Sequence, residues 1–178
     1  DAKNYSLSSI HTTVKADITA KSLTPTATAS NKTYNGNTTA SCTISLTGTV
    51  SGDTVSASAG SGTFADKNVG TGKKVTCSSI TLSGTDKGNY TLSSTSVETT
   101  ANITAKSLTP TASASNKTYN GNTTATCTIA LPGVVTGDTV SASAGSGAFA
   151  DKNVGTGKVI TLSGNYTEVT GRNAKTAN

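Results

Sequence analysis

Three cysteines, one histidine and a scatter of lysines and carboxylates are the residues of this chain that could do chemistry. Cys42 and Cys77 fall in two separate alternating apolar runs, at positions where sandwich domains often carry a bridge between sheets. A disulfide there would close a loop of roughly 35 residues and stabilise the unit by about 3–4 kcal/mol if unstrained. An oxidising, extracellular setting would favour it. The competing reading is a pair of small buried hydrophobes. Cys127 repeats Cys42, but Leu162 stands where Cys77 would recur, so Cys127 is expected to be a free buried thiol unless it meets another chain.

Other chemistry has weaker support. Sequons of the Asn-x-Ser/Thr type begin at Asn4, Asn31, Asn37, Asn89, Asn102, Asn116, Asn122 and Asn165, and in a secreted chain each is an acceptor for sugar. Ser and Thr make up about a third of the residues, so several of these arise by chance. Lys32 and Lys117, with Asp66 and Asp151 as proton shuttles, are the residues available for a Lys-to-Asn isopeptide bond; turn and surface roles are the expected ones. His11 is the single histidine, so no histidine pair is available for acid–base work. Asp53 and Asp66 sit in ordinary turn sequences. Gly70-Thr71-Gly72 lacks the strand-to-helix setting of a phosphate loop, and no Cys-x-x-Cys or His-x-x-x-His pair offers a metal site. The expected reading is no enzyme, no metal and no cofactor.

The elements that must position these residues repeat. Lys21 to Ser41 returns as Lys106 to Thr126, and Asp53 to Lys73 returns as Asp138 to Lys158, a period of 85 residues. Asn4, Tyr5, Leu7, Ile18, Thr19 and Ala20 keep the same register against Asn89, Tyr90, Leu92, Ile103, Thr104 and Ala105. The expected organisation is therefore 1–20 as the last strand of a preceding or neighbouring repeat, 21–105 as a first unit, and 106–178 as a second unit without its last strand.

Composition bounds the class. Hydrophobic residues are 33% and aromatics 4%, so a thin core must serve much polar surface. The net charge of +5 is carried by lysines scattered singly, which argues against a nucleic-acid footprint. No apolar run approaches the ~20 residues of a membrane span.

Alternation points to strands. Ala40, Cys42, Ile44 and Leu46 face one way while Ser41, Thr43, Ser45 and Thr47 face the other. Val55, Ala57 and Ala59 form a second row. Val75 and Cys77 start a third, but Ile80 and Leu82 have the opposite parity, which predicts a break near Ser78-Ser79. Tyr90 and Leu92 open a last strand continuing toward Val97 and Ile103. Tyr34-Asn35-Gly36 and Tyr119-Asn120-Gly121 carry an Asn-Gly pair that tolerates positive φ at both turn positions. Six to eight short strands per unit predict an all-β fold of tandem immunoglobulin-like β-sandwich repeats arranged end to end.

Several motifs in order carry a resemblance over nearly the whole chain. Lys32-Thr33-Tyr34-Asn35-Gly36-Asn37, Val50-Ser51-Gly52-Asp53, Gly62-Thr63-Phe64-Ala65-Asp66-Lys67-Asn68-Val69-Gly70 and Gly88-Asn89-Tyr90-Thr91-Leu92 resemble the YDG-type repeat of filamentous-haemagglutinin-like bacterial surface adhesins. Asn35 and Asn120 stand where the family name implies Asp, which keeps the turn but removes a carboxylate. The resemblance implies an exported, repetitive stalk of a large adhesin or fibre at the bacterial cell surface.

The register of the two ends adds a structural expectation. A sandwich without its last strand exposes an apolar groove and an open edge, which a strand from outside repairs. Tyr5, Leu7, Ile10, Val14 and Ile18 are the residues that would enter a neighbouring copy, giving a head-to-tail filament. The partners expected are identical or similar repeats; the alternative is a module that binds host or surface glycans through its loops. Neither nucleic acid nor a membrane span is expected.

Overall fold

A computed structural model describes residues 1–6, 8, 11, 13–143 and 145–163, and the backbone of 167–169. Strands dominate it, and the described residues hold no α-helix. No helix among them is long and apolar enough to cross a membrane.

The first unit contains β1 (Lys21–Ala29), β2 (Lys32–Thr33), β3 (Cys42–Thr47), β4 (Ser56–Ser58), β5 (Ser61–Phe64), β6 (Gly70–Ser78), β7 (Thr81–Ser83), β8 (Tyr90–Leu92) and β9 (Val97–Thr104). One sheet runs β3-β1-β8, a second runs β2-β9-β6-β5, and β4 pairs with β7. Thr, Val and Ile suit these extended segments because a branched Cβ is comfortable on a pleated surface. The predicted alternation is visible in β3, whose Cys42, Ile44 and Leu46 are half-buried while the residues between them are exposed.

The core lies between the first two sheets. Phe64, Val75, Cys77, Ala101 and Ile103 from β5, β6 and β9 meet Ala27 and Ala29 of β1 and Cys42 and Ile44 of β3. Phe64, Leu23, Ile103, Val75 and Cys77 are each under 2% exposed. Burying side chains of this size stabilises by about 1.5–3 kcal/mol apiece, so these few residues supply much of the unit's apolar stabilisation.

The break foreseen near Ser78-Ser79 falls at Ser79, which adopts φ 56°, the one described non-glycine residue in the left-handed region. That corner releases the chain from β6 and hands it to β7 beside β4, at the point where side-chain parity changes.

Other expectations need correction. The strand foreseen from Tyr90 to Ile103 is two strands in different sheets: β8 lies parallel to β1, whereas β9 lies antiparallel to β6 and parallel to β2. Ser93 to Ser96 make the crossing, with the Ser94 hydroxyl donating to the Ser96 carbonyl and accepting from its amide. The unit holds nine strands, more than the six to eight expected. The Asn-Gly turn uses positive φ only at the glycine, 81° at both Gly36 and Gly121. Asn35 lies outside that region, and its side chain is engaged in the contacts described below.

The second unit repeats this plan in part. β10 (Thr111–Ala114) pairs with β12 (Cys127–Ala130) as β1 does with β3, and β11 (Thr124–Ala125), β14 (Ser146–Phe149) and β15 (Ile160–Ser163) form one sheet. β13 (Ser141–Ser143) pairs with β16 (Thr167–Val169) as β4 does with β7, but displaced by one residue: Ser56 faces Ser83, whereas Ser141 faces Val169. Among the described residues β15 pairs only with β14, whereas its counterpart β6 is flanked by both β5 and β9. The core is correspondingly open. Phe149, Ile160 and Leu162 are only half-buried where Phe64, Val75 and Cys77 are sealed.

Among the described residues of 1–20 there is no strand. Ala2–Asn4 make a single 3-10 turn, and the described residues that follow are exposed, with Tyr5 at 83%, Val14 at 87% and Ile18 at 101%. Leu7 and Ile10 lie outside the described residues.

Candidate functional site: an ammonium cage and a joint between repeats

The turn motif is built around a lysine. The Lys32 ammonium donates to Asn35 Oδ1 at 3.0 Å, Asn37 O at 2.7 Å, Asn37 Oδ1 at 2.9 Å and Thr39 O at 3.0 Å, and it stands 5.2 Å from the centre of the Phe64 ring. Strand β2 aims the side chain, and the chain from Asn35 to Thr39 wraps round its tip. The Asn37 carboxamide also accepts from Thr39 N, and Asn35 Oδ1 accepts from Asn37 N, so the cage sets the turn. Its partners are neutral oxygens, and burial pulls the Lys32 pKa below its ordinary value. Lys117 recurs with Asn122 O, Asn122 Oδ1 and Thr124 O at 2.8–3.0 Å and with the Phe149 ring at 5.6 Å. This cage was not recognised from sequence; the signal was Lys-x-x-Asn-x-Asn-x-Thr followed at a distance by Phe, present in both repeats.

The cage explains where other residues go. Asp66 lies at a second lysine, accepting from Lys73 Nζ at 2.7 Å and from Asn68 N, which together hold its carboxyl below the usual range. Asp151 has the same environment from Lys158 and Asn153. The carboxylates named as proton shuttles for Lys32 and Lys117 are thus engaged in their own turns. Asp53 accepts from the Tyr90 hydroxyl at 2.5 Å, and that hydroxyl accepts from Val50 N at 3.0 Å. Asp53 and Asp66 do not form a carboxylate pair in these contacts.

Cys42 and Cys77 are joined by a disulfide with 6.1 Å between their Cα atoms, tying β3 of one sheet to β6 of the other. Gly62 makes room for it: a Cβ there would strike the Ala40 carbonyl and sit 2.7 Å from Cys42 Sγ. Cys127 is a free, half-buried thiol facing Gly147 in the same way.

Two sequon asparagines act inside the first unit. Asn31 Oδ1 accepts from Asn102 N at 2.7 Å, and Asn102 Oδ1 accepts from Gly72 N at 2.8 Å. Asn37 and Asn122 serve the cages. Asn4, Asn89 and Asn116 are exposed, and Asn165 lies outside the described residues.

The turn of the first unit also touches the second. The Tyr34 hydroxyl donates to Asp138 Oδ2 at 2.7 Å, and Lys67 Nζ lies 3.4 Å from Asp138 Oδ1. A Cβ on Gly36 would stand 2.6 Å from Val135 Cγ1, so only glycine lets the turn lie on that valine. The Tyr34 hydrogen bond holds the Asp138 carboxyl low, while Asp138 raises the Tyr34 phenol and Tyr34 with Asp138 raises Lys67. The signature Tyr-Asn-Gly thereby has a division of labour: tyrosine reaches the neighbour, asparagine holds Lys32, and glycine permits close approach.

Paired β units, each with a caged lysine at its turn and joined through that turn, define a modular tandem-repeat protein. A model of the YDG domain matches the chain twice, over residues 19–97 and 104–178, and the chain belongs to that family. No curated protein and no solved structure matches it.

Proposed function

We propose that the chain is a length of an extracellular fibre or adhesin stalk, built from immunoglobulin-like sandwiches strung head to tail, in which residues 1–20 complete a neighbouring unit by strand addition. One observation carries the reading. Buried Ala101 and Ile103 of β9 recur 85 residues earlier as Ala16 and Ile18, and Ile18 is 101% exposed. The edge of β15 corresponds to the edge of β6 that β9 covers, and the half-buried Ile160 and Leu162 beside it are the surface such a strand would seal. Unpaired edges are templates for strand addition, and the donor and acceptor surfaces lie on different units, so the contact propagates. The Cys42–Cys77 disulfide supports an oxidising location outside the cell. Shared cores and a bridge between sheets support the sandwich assignment. A structural role fits the aromatics better than a glycan-binding one, because Phe64, Tyr90 and Tyr34 are engaged in the core, a loop anchor and the joint.

The test is sedimentation of the full chain over a wide concentration range, with Ile18→Asp as the comparison. The wild-type chain associates markedly more tightly than the variant. Equal association of both, or a wild-type chain that stays monomeric, rejects strand addition.

A further inference from the structure

The contact between the Tyr34 turn and the Val135–Asp138 loop has both of its halves duplicated elsewhere in the chain. By the 85-residue register, Tyr119, Gly121 and Lys152 repeat Tyr34, Gly36 and Lys67, while Val50 and Asp53 repeat Val135 and Asp138. The exposures match an unmade contact. Tyr119 is 57% exposed and Val50 is 49% exposed, whereas Tyr34 and Val135 are half-buried. Gly121 keeps φ 81°, the value Gly36 has in the formed joint, and nothing would meet a Cβ placed on it. The turn is therefore already in its docking conformation, held there by the Lys117 cage.

We propose that the Tyr119–Gly121 turn of one copy docks on the Val50–Asp53 loop of a second copy. The Tyr119 hydroxyl donates to Asp53, the Lys152 ammonium pairs with the same carboxylate, and the Gly121 backbone lies on Val50. Tyr90 already donates to Asp53 Oδ2, but an ionised carboxylate has about four acceptor positions and accommodates both. The charges are complementary, and the geometry is the one the chain makes with itself. Because the two surfaces differ, the contact is heterologous and extends instead of closing.

Its direction agrees with strand addition. Within the chain, β9 lies against β2, and Tyr34 N donates to the carbonyl of Thr104 at 2.8 Å, so the strand of one unit ends beside the turn that grips the next. In the same register a donated Thr19 would sit beside Tyr119. The inference thus rests on the head-to-tail reading for its use, while the joint is a separate contact with its own residues.

Cysteine pairs test it in a Cys127→Ala background. The Cβ position on Gly36 lies 3.9 Å from Val135 Cβ, inside the roughly 3.5–4.5 Å range of disulfides. Gly36→Cys with Val135→Cys is the internal control and closes within one chain under mild oxidation. Gly121→Cys with Val50→Cys gives reducible dimers and longer ladders on a non-reducing gel. Adding Tyr119→Phe and Lys152→Gln slows ladder formation several-fold. A control that closes beside a test pair that stays monomeric overturns the proposal, and so does a control that fails to close. Repeating the experiment in Ile18→Asp separates the two ideas: ladders that persist there support the joint without strand addition, and ladders that vanish there overturn it as an independent contact.

Discussion

Lys32 is the residue around which the signature of this family is arranged in this chain. Its ammonium gathers oxygens from Asn35, Asn37 and Thr39 and covers the Phe64 ring. A charge-assisted hydrogen bond is roughly twice as strong as a neutral one and contributes about 1.5–3 kcal/mol, part of which water restores at these exposed oxygens. Lys32→Met keeps the aliphatic stem and removes the charge. It is expected to lower the stability of the first unit by about 1–3 kcal/mol, read as a lower urea midpoint with an unchanged slope. Asn35→Asp, the residue the family name implies, is the informative comparison, since a carboxylate beside the ammonium keeps the cage filled and leaves the midpoint at or above its original value.

At the scale of strands, the two units share a plan in which leucine stands in place of one half of the disulfide. The pairing of Gly62 with Cys77 on β5 and β6 recurs as Gly147 with Leu162 on β14 and β15, and Cys127 faces Gly147 as Cys42 faces Gly62. Leu162→Cys is therefore expected to bond with Cys127 on oxidation. The closed loop would again span about 35 residues and stabilise the unit by about 3–4 kcal/mol by constraining the unfolded chain. Thiol counting before and after reduction, with melting measured in both states, checks it; a variant that keeps its free thiols contradicts the shared register. Strand alternation and turn positions were readable in the sequence because each depends on neighbours two to four residues away. The division of Tyr90 to Thr104 between two sheets was not, because a parallel pairing with β1 is decided by residues far off in the chain.

For the whole molecule, the joint between units is held by groups that titrate. Asp138 has its carboxyl lowered by Tyr34 and Lys67, so its contribution is complete above the ordinary carboxylate range near pH 4 and is lost as the pH falls through the depressed value. Tyr34 and Lys67 are both raised, so their contributions are complete below the ordinary value near pH 10 and are lost as the pH rises through the raised one. The joint is expected to hold between these limits and loosen at both ends. Small-angle scattering across the pH range is the measurement: a maximum dimension that changes at both limits in the wild-type chain and not in Tyr34→Phe is the expected outcome.

The sequence by itself determined the repeat, its 85-residue register, the strand-rich class, the break at Ser79 and the candidate pairing of Cys42 with Cys77. All of these follow from local alternation, turn chemistry and internal comparison. Only the tertiary structure decided what the turn motif is for. Lys32 finds Phe64 across 32 residues of chain, and Tyr34 finds Asp138 across 104, a contact between two different units. Periodicity records which face of a strand is apolar; it carries no record of which distant carboxylate a tyrosine will reach once the cores have closed.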